Sequence, residues 1–416
     1  MAEVTAEQVR DEVRQWLRDN WSNDLTVADW WDRLAHSGYA APTFPTTHFG
    51  KGYSRTLANV VNEEIQKAGA IGPPSGLGYA LAAPTIAAHG DDDQKEWLLR
   101  ILNGQDAWCQ LFSEPGAGSD LAGLQTRAER DGDEFVVNGQ KVWTSTAQLC
   151  NLGMLIARTD PNLPKHAGIT YFRFDMTQPG VTVRPLKEMT GRAMFNEVFI
   201  DDCRVHERDI LGGLNNGWAV ANTTLAAERS SLGSGGSGAV GSAFAGPMAG
   251  HLDRPAKEFV GQIRTGGTGA GGAGMADRLI KLARDAGKTD DAHVRQGIAK
   301  LYSLDRLGKM SALRARGGGA SAGAPNIAKL MMSDMLRLNR DVGCEIIGPD
   351  AMVMGSGTLG GGLVQEMTLF SPGPSIYGGT DQVQRNIIGE RVLGLPKEPG
   401  PEKTTPFKDL LANATR

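Results

Sequence analysis

Apolar and polar positions change their spacing twice along the chain. From Thr5 they follow a helical period: Val9, Val13, Trp16 and Leu17 share one face, behind a Thr5–Gln8 pair suited to a capping box. Trp30, Trp31 and Leu34 predict a second helix closed by Gly38. Segments 57–68 and 79–89 predict two more, and the acidic run 91–93 caps a helix over 94–102. From about Asp106 the period falls to two. Residues 135–143 read as a hairpin turning at Asn138-Gly139, and 152–157, 169–174, 181–183 and 197–200 as short strands between turn residues. After Gly217 the helical period returns over 218–227, 276–286, 292–315, 326–344 and 380–393. Glycine-rich stretches at 230–241, 264–274 and 315–324 interrupt it, the second as a linker between helices. The order is helical, then β, then an antiparallel helical bundle.

Composition narrows the class. The 416 residues are 40% hydrophobic, enough for two or three domains with large cores. A net charge of -4 and no long basic run argue against nucleic acid as the main partner. The four cysteines are scattered without CxxC spacing, as expected in a reducing cytoplasm, and suggest neither a disulfide framework nor a zinc site. The seven histidines show no ligand-like pairing, so no metal is expected. No apolar run reaches the ~18 residues of a membrane span, and the N-terminus lacks a signal-peptide pattern. The expected location is cytoplasmic.

Two stretches carry candidate chemistry. Residues 110–124 (QLFSEPGAGSDLAGL) break from a short extended run at Leu111 and Phe112 into a glycine-punctuated loop. Gly116 and Gly118 let backbone amides approach a ligand closely, and Ser113, Ser119 and Asp120 supply short polar groups. Residues 141–146 (KVWTST) set Trp143 among small hydroxyl residues, a flat aromatic wall beside hydrogen-bond donors. A planar ring system with many acceptors suits that arrangement.

In this order and at this separation the two motifs resemble the flavin-binding signature of the acyl-CoA dehydrogenase family, and the similarity runs from the first helix to Pro396. The resemblance implies an α+β multidomain fold. Its parts are an N-terminal α-helical domain (1–105), a barrel-like middle β domain (106–212), a C-terminal antiparallel four-helix bundle (213–395) and a tail (396–416). It implies FAD as cofactor, an acyl-CoA substrate and an electron-transfer flavoprotein as redox partner. The implied assembly is a homotetramer, or a heterotetramer with a second dehydrogenase-like subunit. Leu111, Phe112, Ser113, Gly118, Ser119, Trp143 and Ser145 fall where the family holds its flavin, and Ser119 also where it meets the acyl-CoA. Thr380 and Gln382 match residues that contact the dinucleotide, and Gly378 and Gly379 border the substrate. Arg284 matches an arginine that reaches a neighbouring subunit's cofactor.

Desaturating a thioester requires a base for the α-proton. A carboxylate in an apolar, water-poor cleft suits, because desolvation lifts its pKa. The family's Tyr-Glu-Gly-Thr motif here reads Tyr377-Gly378-Gly379-Thr380, and Gly378 cannot move a proton. Branched-chain and long-chain members carry the base on the first long helix of the C-terminal domain, just before an arginine. That pair is Glu228-Arg229 here, which makes Glu228 the expected base and puts Arg229 at the substrate or flavin edge. Small residues over 230–241 would widen the acyl cleft for a bulky or branched group.

The neighbour-facing positions depart from the family. An Arg-x-x-Phe motif reads Arg284-Asp285-Ala286-Gly287, and a Gln-x-x-Gly-Gly segment reads Glu345-Ile346-Ile347-Gly348-Pro349. Glu345 would repel a pyrophosphate and Pro349 lacks an amide donor. These departures resemble the branch that acts on steroid side-chain thioesters with two unlike subunits and fewer flavins than chains. The favoured reading is a dehydrogenase forming a 2,3-double bond. The alternative is a catalytically silent or cofactor-incomplete subunit of a heteromer, and an oxidase stays open within the enzyme class.

Overall fold

The computed structural model describes residues 4–233, 243–261, 274–316, 319, 321–397, 399, 402 and 404–414. The small-residue stretch 230–241 and the linker 264–274 therefore lie largely outside the described residues. Helix α1 (Ala6–Asn20) begins with the expected capping box, the Gln8 amide donating to the Thr5 hydroxyl and the Thr5 amide to Gln8 Oε1. It buries Val9, Val13 and Leu17 against Trp30, Trp31 and Leu34 of α2 (Val27–His36). Both indoles of α2 are satisfied: Trp30 Nε1 donates to Ile71 O at 2.7 Å and Trp31 Nε1 to Gly72 O at 2.9 Å. α3 (Arg55–Lys67) closes this core.

The helix expected over 79–89 is not uniform. Gly78–Ala82 forms a π turn before α4 (Ala83–His89). Pro84 explains the change, because it cannot donate the amide that an α-helical ladder would need one turn earlier. Asp91 then caps α5 (Asp92–Lys95), which passes into α6 (Trp97–Leu102).

The middle of the chain holds β1 (Trp108–Leu111), β2 (Arg127–Asp131), β3 (Glu134–Ser145), β4 (Leu152–Arg158), β5 (Ile169–Asp175), β6 (Val181–Leu186), β7 (Phe195–His206) and β8 (Ile210–Leu211). They are ordered β6-β7-β3-β2-β4-β5-β8, with β1 parallel to β4, so the sheet stays open where a barrel-like domain was expected. One face buries Cys109, Leu111, Phe135, Val137, Phe172 and Phe174. The other carries Trp108, Phe112, Met154 and Tyr171 against the helices on either side in sequence.

The expected hairpin at Asn138-Gly139 is absent. β3 runs straight through both residues, with a bulge between Val137 and Gly139, and the turn lies at Gly132 instead. The pair serves other ends. Asn138 exchanges hydrogen bonds with Asp202, its Nδ2 donating to Oδ1 at 2.9 Å and its Oδ1 accepting the Asp202 amide at 3.0 Å. A Cβ at Gly139 would sit 2.3 Å from Thr126 Oγ1, so close approach rather than a turn explains the glycine.

A buried ion pair ties this sheet to the glycine loop. Lys141 is fully buried, and its three donors reach Glu114 Oε1 at 2.8 Å, Phe112 O at 3.0 Å and Ile156 O at 2.9 Å. Glu114 also accepts the amides of Gln125 at 2.7 Å and Thr126 at 2.9 Å, so both ends of the loop close on one carboxylate. Burial pushes that carboxyl up, but the Lys141 charge and the hydrogen bonds outweigh it and hold Glu114 below the usual carboxylate range. Arg158 braces the next stretch, donating to Ala122 O and Lys165 O, each at 2.7 Å.

The C-terminal part comprises α7 (Gly217–Gly233), α8 (Met275–Asp285), α9 (Ala292–Arg316), α10 (Ala324–Ile347), α11 (Leu363–Phe370) and α12 (Asp381–Ile387). α10 packs against each of the others. The start of α12 is pinned to it, Asp381 accepting from Lys329 at 3.0 Å, Ser333 at 2.8 Å and Arg337 at 3.1 Å. Beyond the bundle, α13 (Phe407–Ala414) returns to the β domain. The Phe407 ring lies under the Arg158 guanidinium at 3.7 Å, and its amide donates to Leu163 O. No described helix is long and apolar enough to cross a membrane.

Replacing Lys141 by Met should cost about 3–5 kcal/mol at neutral pH, because Glu114 stays buried without its partner. The native pair's stabilisation is lost as pH falls through the depressed Glu114 pKa. The deficit should therefore shrink in acid, as urea unfolding at neutral pH and at a pH below the ordinary carboxylate range would show. Equal stability at neutral pH would contradict the assignment.

Candidate active site

The last turns of α7 bring a carboxylate to the edge of β1. α7 starts at Gly217, where a Cβ would lie 2.5 Å from the Thr170 backbone, so the helix enters in close contact with β5. Val220 and Ala221 bury the next turn against the sheet, with Trp218 and Leu225 partly buried beside them. Two turns on, Glu228 Oε2 stands 3.5 Å from Gln110 Nε2, at the outer limit of a hydrogen bond. Burial raises the Glu228 carboxyl above its ordinary range, while the Gln110 contact and the Arg229 charge pull less strongly the other way. Arg229 is lowered by burial and by Arg391, and raised by Glu228. A carboxyl lifted by burial, with one weak hydrogen bond, has the character of a proton acceptor.

The motif residues gather along the rim of the same sheet. The Val142 amide donates to Ser113 O at 2.9 Å, which joins the glycine loop to the tryptophan motif. A second bulge in β3, between Lys141 and Thr144, leaves Trp143 at φ 60°, a left-handed conformation that costs a bulky residue on the order of 1–3 kcal/mol. The bulge turns the indole outward. It is 61% exposed and braced edge-on by Phe195 at 5.9 Å. Half-buried Ser113 and Ser145 stand beside it, and Gly116, Gly118 and Ser119 are exposed on the loop. A Cβ at Gly116 or Gly118 would meet nothing within 4 Å, so open space lies over the loop. An outward aromatic plate, two hydroxyls and an uncovered glycine loop fit a flavin. Leu111 and Phe112 are buried, so they would serve it through their backbone. Asp120 on the same loop pairs with Lys165.

Other expected residues lie elsewhere. Thr380 caps α12, its hydroxyl accepting the Val383 amide at 3.1 Å, and Gln382 is exposed on the first turn. Gly378 and Gly379 adopt φ 63° and 83°, and Gln384 Nε2 donates to Gly378 O at 2.9 Å. α12 and α7 both pack on α10. Arg284 is exposed near the end of α8. Nearby Lys288 donates to Glu345 O, so the two departures noted in the sequence share one end of the bundle.

Gln110, Glu114 and Lys141 had no role in the sequence reading. A signal existed for each. Gln110 shares a β1 face with Trp108 and Phe112, which turns it toward the helices. Lys141 continues the inward alternation of Phe135, Val137 and Gly139, and an inward lysine requires a buried partner.

A polar cavity of about 420 Å³ opens at the other end of α7, lined by His166, Asn215, Asn216, Trp218 and Asn222. Asn222 and Asn216 lie six and twelve residues before Glu228, or roughly 9 and 18 Å along the helix.

Comparison with known proteins gives this geometry its context. Residues 1–105, 109–203 and 267–393 match the N-terminal, middle and C-terminal domains of acyl-CoA dehydrogenases. The acyl-CoA dehydrogenase IpdE1 of Mycobacterium tuberculosis is 34% identical, over 94% of this chain and 98% of its own length. IpdE1 of Mycolicibacterium smegmatis is 32% identical over 95% and 99%. Among solved structures, the ChsE4-ChsE5 complex from Mycobacterium tuberculosis superposes with a TM-score of 0.68 at 27% identity, covering 96% of this chain and 100% of that one. The family implies a flavin and oxidoreductase chemistry on an acyl-CoA. This chain belongs to the acyl-CoA dehydrogenase family.

Proposed function

We propose that the chain binds FAD and introduces a 2,3-double bond into a bulky or branched acyl-CoA, with Glu228 taking the α-proton. The observation that carries this is the raised Glu228 carboxyl beside Gln110, on the strand that leads directly into the flavin loop. The flavin, when bound, supplies a two-electron acceptor for the β-hydride. The residues around it do the rest. Trp143, Ser113, Ser145 and the amides of the Glu114-clamped loop would hold the ring system, with Thr380 and Gln382 serving the dinucleotide. The asparagine-lined cavity at the start of α7 offers amide partners to the CoA arm, and its distance from Glu228 suits a long flexible linker. The thioester would lie between them, with its α-carbon at the Glu228 carboxylate. Desolvation makes that carboxylate a stronger base, and Gln110 keeps it aimed at the cleft. An electron-transfer flavoprotein would then accept the electrons.

The heteromeric alternative draws on specific residues. Gly378 offers no carboxylate, and the exposed Glu345 poorly suits a neighbour's pyrophosphate, although Arg284 is retained at the same end of the bundle. Tyr302, Leu307, Met310 and Leu313 expose an apolar side of α9, with Ile327 exposed at the start of α10, so some assembly is expected. A subunit of this kind would still need its partner's carboxylate for turnover, whereas the favoured reading places the base in this chain.

Glu228→Gln should retain flavin and bind acyl-CoA, yet lose anaerobic bleaching by 1,000-fold or more, on the order of 4 kcal/mol in the barrier. Bleaching at near-native rates would remove Glu228 from the role. In the native chain the rate of bleaching should rise with pH across a limb displaced above the ordinary carboxylate range, because only the ionised form accepts a proton. Gln110→Leu should move that limb to still higher pH, since the contact it deletes favours the charged form; an unmoved limb would contradict the pairing. Charged substitutions at Met310 and Leu313 should reduce the assembly mass seen by sedimentation, and an unchanged mass would place the interface elsewhere.

A further inference from the structure

The loop between β4 and β5, residues 159–168, touches three separate parts of the molecule. Lys165 pairs with Asp120 of the flavin loop, and the His166 ring packs edge-on against Trp218 of α7 at 4.8 Å. His166 and Ala167 also line the asparagine-walled cavity at the start of α7. The two ends of the loop are drawn together, the Thr159 and Asp160 amides donating to Gly168 O at 2.9 and 3.2 Å. A Cβ at Gly168 would sit 1.9 Å from Asp160 O, so the closure requires glycine.

Between its ends the loop is held largely from outside. Pro161 and Pro164 bring no amide donors of their own. The third support is the C-terminal tail. The Lys408 amide donates to Pro161 O at 3.1 Å and the Phe407 amide to Leu163 O at 3.0 Å, with Pro406 bridged antiparallel to Pro164. Arg158 Nη1 holds the next carbonyl in the series, Lys165 O, at 2.7 Å.

Phe407 joins these supports. The Arg158 guanidinium lies 3.7 Å over the centre of its ring, and both residues are buried, at 4% and 5% exposed. Arg158 Nη2 reaches Ala122 O near the end of the flavin loop at 2.7 Å, while its Nε has no acceptor. Without the ring, water would gain the guanidinium, and hydration of Nε would compete with the arrangement that holds the two carbonyls. None of the described tail residues lines the cavity itself. The tail therefore reaches a ligand there only through the loop.

We infer that α13 is a strap that sets the wall of the CoA-side cavity, with Phe407 as a positioning residue acting through Arg158 on Lys165 and His166. This rests on the dehydrogenase reading, in which that cavity takes the CoA arm, and adds a residue that governs ligand affinity apart from proton removal at Glu228. The coupling is reciprocal: a strap that favours the bound loop is itself favoured by the bound ligand.

The test uses CoA and 3,3-dimethylbutanoyl-CoA as probes of the flavin-loaded native chain, Phe407→Ala and Phe407→Tyr. Phe407→Ala should raise the CoA dissociation constant, by calorimetry, about tenfold. The half-saturating ester concentration for α-proton exchange with solvent should rise in step, while exchange at saturation stays within about twofold of native. Phe407→Tyr keeps the ring and should restore native affinity. An unchanged CoA constant, or an affinity loss that Phe407→Tyr does not restore, would overturn the inference. So would a saturated rate that falls as far as the affinity, since that marks general damage. Should Phe407→Ala fail to fold, amide hydrogen exchange on the native chain decides. CoA should slow exchange at Phe407 and Lys408, and unchanged protection would overturn the strap. If the native chain binds CoA but exchanges no α-proton, the dehydrogenase reading fails, and the CoA constants still decide the role of Phe407.

Discussion

The contact between Lys141 and Glu114 is the constraint on which the site depends. A lysine with no exposed surface is tolerable only if its charge and all three donors are answered, and here one carboxylate and two carbonyls do so. The answering groups come from the end of β1, the glycine loop and β4, and the same carboxylate holds the amides where the loop rejoins the sheet. The loop can thus be rich in glycine and open to a ligand above while being fixed below. The bulge that follows Lys141 turns Trp143 outward over that open space, so the buried charge and the exposed aromatic are two consequences of one strand.

The proposed base meets β1, the strand whose end also gives the Phe112 carbonyl to Lys141. β1 is four residues long, yet it carries Gln110 toward Glu228 and, one residue past its end, the Phe112 carbonyl toward Lys141. A carboxyl on α7 meets this face because Gly217 lets the helix start against β5 without a side chain between them. In that position burial, rather than a neighbouring charge, sets the basicity of Glu228. The Gly378–Gly379 turn also has a structural part. Its left-handed residues lead into α12, whose first residue is anchored by Lys329, Ser333 and Arg337.

Much of this was legible in the sequence, and the reasons for the rest are physical. The capping box at Thr5 and the tryptophan stripe of α2 depend on local spacing, so periodicity finds them. Asn138-Gly139 carries a turn signal but lies inside a strand, because Asp202 and Thr126, both distant in sequence, decide what those residues do. The docking of Phe407 under Arg158 has no local signature at all. Glu228 was visible only as a glutamate before an arginine, and its elevated pKa required the burial that tertiary packing supplies.

The central claim is that a carboxylate of this chain, at residue 228, removes the α-proton. It is tested most directly with a thioester that can lose that proton but has no β-hydrogen to give, 3,3-dimethylbutanoyl-CoA, held in deuterium oxide with the flavin-loaded chain. Nuclear magnetic resonance would follow deuterium entering the α-position. The account predicts exchange by the native chain and none above background with Glu228→Gln, whatever the hydride acceptor or the partner subunit. Equal exchange by the two proteins would mean that another group takes the proton, and would contradict the account at its centre.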